Sequence, residues 1–127
     1  MRTPESGDED SGQAERYIEN MSKQMYVYIM ANSRPTLYTG VTNNLMGRVY
    51  QHKNDLIEGF TKKYGLHKLV YYEAVEGQMQ SIIREKQIKN MTRQQKINMI
   101  IKFNPAWEDL YPTISDSGQA GMTGGKG

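Results

Sequence analysis

The sequence predicts an α+β domain: a small three-stranded, mainly antiparallel sheet flanked by helices, in the order ββαβαα. Three observations carry this. Two short runs rich in β-formers, "MYVYIMA" and "TLYTGV", lie on either side of the turn-forming "NSRP". A third such run, "KLVYYEAVE", follows a helical stretch. The last two periodic segments are both helical, and strands segregated from helices in this way favour α+β over a doubly wound parallel sheet.

Each element has its own justification. "MYVYIMA" alternates, with Val27, Ile29 and Ala31 on one face and Tyr26, Tyr28 and Met30 on the other. "NSRP" is turn chemistry, and "TLYTGV" returns with Leu37, Thr39 and Val41 on one face and Tyr38 and Gly40 on the other. The aliphatic sets are expected to meet in the core. The tyrosines then gather on the opposite face, beside a glycine that lets another backbone come close.

"TNNLMGRVYQHK" reads as the first helix, with Thr42 or Asn43 able to cap it. Leu45 and Val49 form its apolar stripe. Asn44, Arg48 and His52 form a polar stripe of the same spacing, about 100° round the helix, which places it at the edge of a cleft. "NDLIEGFTKKYGLH" reads as a polar connection to the third strand. In "GQMQSIIREKQIKNM" the apolar residues Met79, Ile82, Ile83, Ile88 and Met91 cover most of the wheel, so this helix is expected to be substantially buried. Glu85 then falls between Ile82 and Ile88, a carboxylate needing a partner or a purpose. "TRQQ" resembles a capping box, Thr92 with Gln95, opening a last helix with Ile97, Ile100, Ile101 and Phe103 inward. Pro105 ends it, and Trp107 and Tyr111 are expected to pack back on the core.

The chain divides into three parts. Residues 1–24 carry three basic against six acidic residues, a net of −3, and read as an acidic, mostly disordered arm. Residues 25–111 form the domain, with twelve lysines and arginines against seven aspartates and glutamates, a net of +5. Residues 112–127 read as a flexible Gly-rich tail. A basic domain is compatible with a polyanion such as nucleic acid, and equally with an ordinary solvated surface. The absence of cysteine excludes disulfides, thiol catalysis and Cys-based zinc sites. No signal segment and no long apolar run is visible, so a soluble, cytoplasmic protein with no membrane partner is expected.

Chemistry is offered by three elements: phenols on the hairpin, Arg48 with His52 on the first helix, and Glu85 on the second. Joined to the element order, "YVY" at 26–28, "YTG" at 38–40, "NNLMGRVYQH" and "REKQIK" resemble the GIY-YIG nuclease superfamily, most closely its small single-domain bacterial members. The resemblance covers roughly residues 25–111. It implies a metal-dependent phosphodiesterase acting on DNA or RNA, with DNA the favoured partner, and with a protein partner as an option for targeting. By motif position, Tyr28 is the expected base and Tyr38 its partner or alternative. Arg48 steadies the phosphate, His52 contacts phosphate or assists proton transfer, and Glu85 holds one divalent cation, Mg2+ or Mn2+. Gly40, Asn44, Lys62, Lys63 and Lys89 are expected along the nucleic acid. The chain departs from the pattern in reading Tyr-Val-Tyr and Tyr-Thr-Gly, changes that keep both tyrosines, and in carrying Val41 after the glycine, where some members have a polar or basic residue.

Each signal also has a plainer reading. Strand tyrosines are usually packing residues, a lone helix arginine is usually solvated, His52 could be a satisfied edge histidine, and Glu85 could simply pair with Lys89. A nucleic-acid-binding module of the same fold with little or no cleavage is the alternative to the nuclease.

Overall fold

The computed structural model describes residues 23–115. Most of the acidic arm and the Gly-rich tail, residues 1–22 and 116–127, lies outside them. The described chain runs β1 (Gln24–Ala31), β2 (Leu37–Thr42), α1 (Leu45–Lys53), α2 (Phe60–Tyr64), β3 (Lys68–Glu76), α3 (Gln78–Lys89) and α4 (Arg93–Phe103). A last helical turn at 111–115 crosses the expected end of the domain. No helix among the described residues is long and apolar enough to cross a membrane.

The sheet is antiparallel throughout, in the order β2-β1-β3. The hairpin turn is held by the Asn32 side chain, whose Oδ1 accepts from the backbone N–H of Arg34 and of Thr36 at 2.9 and 2.8 Å. β1 is the central strand and both its faces are covered, so six of its eight residues are buried. Val27, Ile29 and Ala31 meet Val70, Tyr71, Ile88 and Ile100 on one side. On the other, Tyr28 and Met30 meet Leu45, Val49, Leu66 and Leu69. The alternation therefore sorts the two faces as expected, but the tyrosine face is a second core under α1 rather than an open surface.

Local chemistry fixes the helix ends. Asn44, and neither Thr42 nor Asn43, caps α1, its Oδ1 accepting from the Gly47 N–H at 3.1 Å. A Cβ at position 47 would lie 2.5 Å from the Asn44 amide nitrogen, so the glycine makes room for the cap. Thr92 and Gln95 form a complete capping box on α4. Beyond α4, Asn104 is buried and its Nδ2 donates to the Val70 and Glu108 carbonyls at 3.1 and 2.9 Å. Asp109 accepts from the Leu69 N–H at 3.1 Å and pairs with Lys53. These bonds lace the closing segment to β3 and bring Trp107 and Tyr111 against the two cores.

Three helices depart from expectation. "NDLIEGFTKKYGLH" contains the short helix α2, ended by Gly65 at a left-handed φ of 62°. α3 is not substantially buried: Met79, Ile82 and Ile83 are exposed, and only Ser81 and Ile88 are enclosed. The enclosed strip runs through Ser81 and Ile88, seven residues apart, and the Ser81 hydroxyl is satisfied by the Gln78 carbonyl at 2.7 Å. In α4, Ile100 is buried but Ile101 and Phe103 are exposed rather than inward.

Candidate active site

The centre of the site is Tyr28, in the middle of β1 and fully buried. Its register partner across the hairpin is Gly40. A Cβ at position 40 would stand 2.5 Å from the Tyr28 hydroxyl and 2.6 Å from the ring carbon bearing it. Gly40 therefore admits the phenol of its cross-strand neighbour. It was expected to admit another backbone or to contact nucleic acid, but it lies beneath Tyr28.

The Tyr28 hydroxyl is 2.8 Å from Nε2 of His52, and Nδ1 of His52 is 2.9 Å from Oγ1 of Thr61. His52 is 2% exposed, so it lies inside the second core and not at a cleft edge. Burial, helped by the nearby Arg48 charge, lowers its pKa to about 4. A neutral imidazole at neutral pH follows. Burial pushes the Tyr28 phenol well above the usual tyrosine range. The neighbouring Tyr38 and Glu85 raise it further, and Arg48 opposes them. The arrangement is thus a neutral phenol beside a neutral imidazole, and not a standing phenolate.

Tyr38 packs over this pair, its ring centroid 5.6 Å from that of His52 and 6.3 Å from that of Tyr28. Arg48, half-buried one turn before His52, is beside the Tyr28 hydroxyl. Among the described residues no carboxylate forms an ion pair with it. An arginine so placed has its planar fork available for a phosphate. Glu85 of α3 is near enough for its charge to bear on Tyr28, and it pairs with Lys89 at 3.0 Å. The five expected chemical residues, Tyr28, Tyr38, Arg48, His52 and Glu85, therefore share one electrostatic neighbourhood.

The expected nucleic-acid contacts fare unevenly. Asn44 spends its Oδ1 on the helix cap, and Lys89 is engaged by Glu85. Lys62 and Lys63 are exposed on α2, Lys62 paired with Glu58 and Lys63 lying over the Tyr64 ring. The sequence reading missed Phe60 and Thr61. Thr61 fixes His52, while Phe60 links Tyr38 to Tyr64 with centroid separations of 6.3 and 4.8 Å. The result is a ladder of rings running from the site to the surface beside two lysines. The signal available was the run "FTKKY" itself, aromatic and basic together.

No group of three or more His, Asp or Glu side chains able to hold a metal occurs among the described residues. That donor set does not suit zinc, which needs at least three protein ligands. A single half-buried carboxylate such as Glu85 does suit a hard cation that keeps several waters and takes further oxygens from a phosphate.

Residues 24–98 match the model of the GIY-YIG catalytic domain. The chain is similar to a UPF0213 protein of Clostridium perfringens, 43% identical over 59% of this chain and 81% of the relative. It is 42% identical to a UPF0213 protein of Syntrophus aciditrophicus over 67% and 97% of the two chains. Among solved structures, it is similar to the solution NMR structure of a UPF0213 protein from Bacillus halodurans, with a TM-score of 0.46 and 22% identity over 70% of this chain and 95% of that one.

Proposed function

This chain belongs to the GIY-YIG family, and from that premise we propose that it is a metal-dependent nuclease that hydrolyses nucleic-acid phosphodiesters with a water activated through Tyr28. The carrying observation is the buried chain Tyr28–His52–Thr61, set beside an arginine that has no carboxylate partner among the described residues.

In this reading Arg48 binds the scissile phosphate. Tyr28 Oη takes a proton from the attacking water as its own proton passes to Nε2 of His52. The water oxygen bonds to phosphorus, the bond to the leaving oxygen breaks, and that oxygen is protonated from solvent. With Thr61 Oγ1 accepting from an Nδ1–H of His52, Nε2 is free to accept the Tyr28 proton. A phosphate on Arg48 offsets one of the two causes that depress His52, so substrate binding itself makes the imidazole a better base. Glu85 would hold the divalent cation, Mg2+ or Mn2+, which supplies Lewis acidity and stabilises the leaving oxygen. Lys62, Lys63 and the ring ladder form the adjoining nucleic-acid surface.

A second reading, a binding module with little turnover, draws support from the Glu85–Lys89 pair, which engages the candidate metal-binding carboxylate. The two are separated by incubating the full-length protein with labelled single-stranded, duplex, flap and junction DNA and RNA, with magnesium, manganese or EDTA. Products that need the metal are expected. Substrate that is shifted in a gel but intact under every condition rejects the nuclease in favour of the binding module.

A further inference from the structure

A cavity of about 400 Å³ opens on the sheet face that carries Tyr28. Among the residues that line it are Tyr26 and Tyr72 of the sheet, Asn43, Asn44 and Met46 at the start of α1, and Ile114. None of the site residues above except Asn44 belongs to it. Its place in the fold is nonetheless fixed by them. Tyr26 is two residues before Tyr28 on the same face of β1, and Tyr72 is the register partner of Tyr28 on β3. Asn44 is four residues, about 6 Å of helical rise, from Arg48.

We propose that this cavity takes one unstacked nucleobase of the strand whose phosphate lies on Arg48. The inference rests on the nuclease reading for what occupies the phosphate position. Three features point to a base. Two aromatic rings and a methionine offer flat, polarisable surface to a π-face, the way unpaired bases are held by proteins. The Asn43 side-chain amide makes no hydrogen bond with any described residue, and an amide presents the donor and acceptor that a base edge requires. Ligand cavities begin at about 300 Å³, and this one mixes apolar surface with side-chain amides. The one-turn separation from Arg48 places the pocket at the neighbouring nucleotide. It therefore acts on how a strand is seated and leaves the bond-breaking step to Tyr28 and His52.

The test is a two-dimensional NMR titration of the full chain, in EDTA, with AMP, CMP, GMP and UMP, and with ribose 5-phosphate as the base-free control. The nucleotides are expected to shift the Asn43 and Asn44 side-chain amides and to move the Met46 and Ile114 methyls upfield by ring current, while ribose 5-phosphate leaves them in place. Tyr72→Leu and Asn43→Ala should each weaken nucleotide binding at least about fivefold, as for one lost base contact. Because Tyr72 also rests on Phe103, Asn43→Ala, at an exposed position, keeps the test clear of misfolding. Equal shifts from ribose 5-phosphate, shifts confined to other residues, or wild-type affinity in both variants would each overturn the proposal. If oligonucleotides are cut but nucleotides leave these resonances unmoved, the pocket fails and the nuclease stands. If the pocket fills but nothing is cut, the reverse holds.

Discussion

At Gly40 a single methyl group decides whether the site can assemble. Gly40→Ala would bring a Cβ to 2.5 Å from the Tyr28 hydroxyl, and the fully buried ring has nowhere to retreat. We expect a loss of cleavage of about a hundredfold or more, as for a displaced general base. Thermal melts should show roughly 1–3 kcal/mol of destabilisation from overpacking. A variant with wild-type activity would show that the Tyr28 hydroxyl need not stand where it does. His52 makes a second statement at this scale. Its pKa falls from about 6.5 unfolded to about 4 folded, so the unfolded chain binds more protons between those values. Stability is therefore whole above pH 6.5 and declines as the pH drops towards 4, at most by about 1.4 kcal/mol per pH unit. Denaturant titrations across pH 4–7 should show this slope in the wild type and lose it in His52→Gln. The identities of these residues were legible from motif and spacing. Their burial was not, because alternation tells which face a side chain takes and not what later segment covers that face. Here the cover is α1 with the segment around Leu110–Ile114.

Among the elements, the hairpin, α1 and the capping box of α4 were legible because turn chemistry, fourfold spacing and Thr-x-x-Gln are local signals. α2 was not, since five residues are too few to show a period. It nevertheless carries Thr61 and Phe60, the groups that fix the imidazole and extend the ring ladder. α3 misled in the opposite sense. Its apolar residues go round the helix, but the buried strip runs through Ser81 and Ile88 and leaves Met79, Ile82 and Ile83 outside. Glu85 is consequently not a lone carboxylate among buried isoleucines. For Glu85→Gln we expect loss of metal-dependent cleavage with nucleic-acid binding retained. The cost in stability should be only a few tenths of a kcal/mol, the worth of an i,i+4 pair whose lysine is half exposed. Cleavage at the wild-type rate would remove Glu85 from the proposed metal site.

For the whole molecule, the fold class followed from the order of segments, while the strand order β2-β1-β3, which puts β1 and Tyr28 at the centre of the sheet, is seen only in the structure. Covering both faces of that strand is what makes the Tyr28–His52 pair dry, and dryness is what sets its proton affinities. The basic domain surface, net +5 over residues 25–111, should make nucleic-acid affinity fall with salt at a log–log slope of roughly −3 to −5, a few phosphates' worth. A flat profile would mean that the charge serves solvation alone. The central claim is that a neutral tyrosine passes its proton to a neutral, buried histidine, and the pH dependence of single-turnover kcat/KM at saturating metal tests it most directly. With His52 near 4 and Tyr28 raised above the ordinary tyrosine range, the rate should climb below about pH 5 and hold a plateau through neutral and moderately alkaline pH, with Tyr28→Phe at least about a hundredfold lower throughout. A wild-type rate that instead rises tenfold per pH unit from 7 to 9, or a Tyr28→Phe variant that cuts as fast as the wild type, would contradict it.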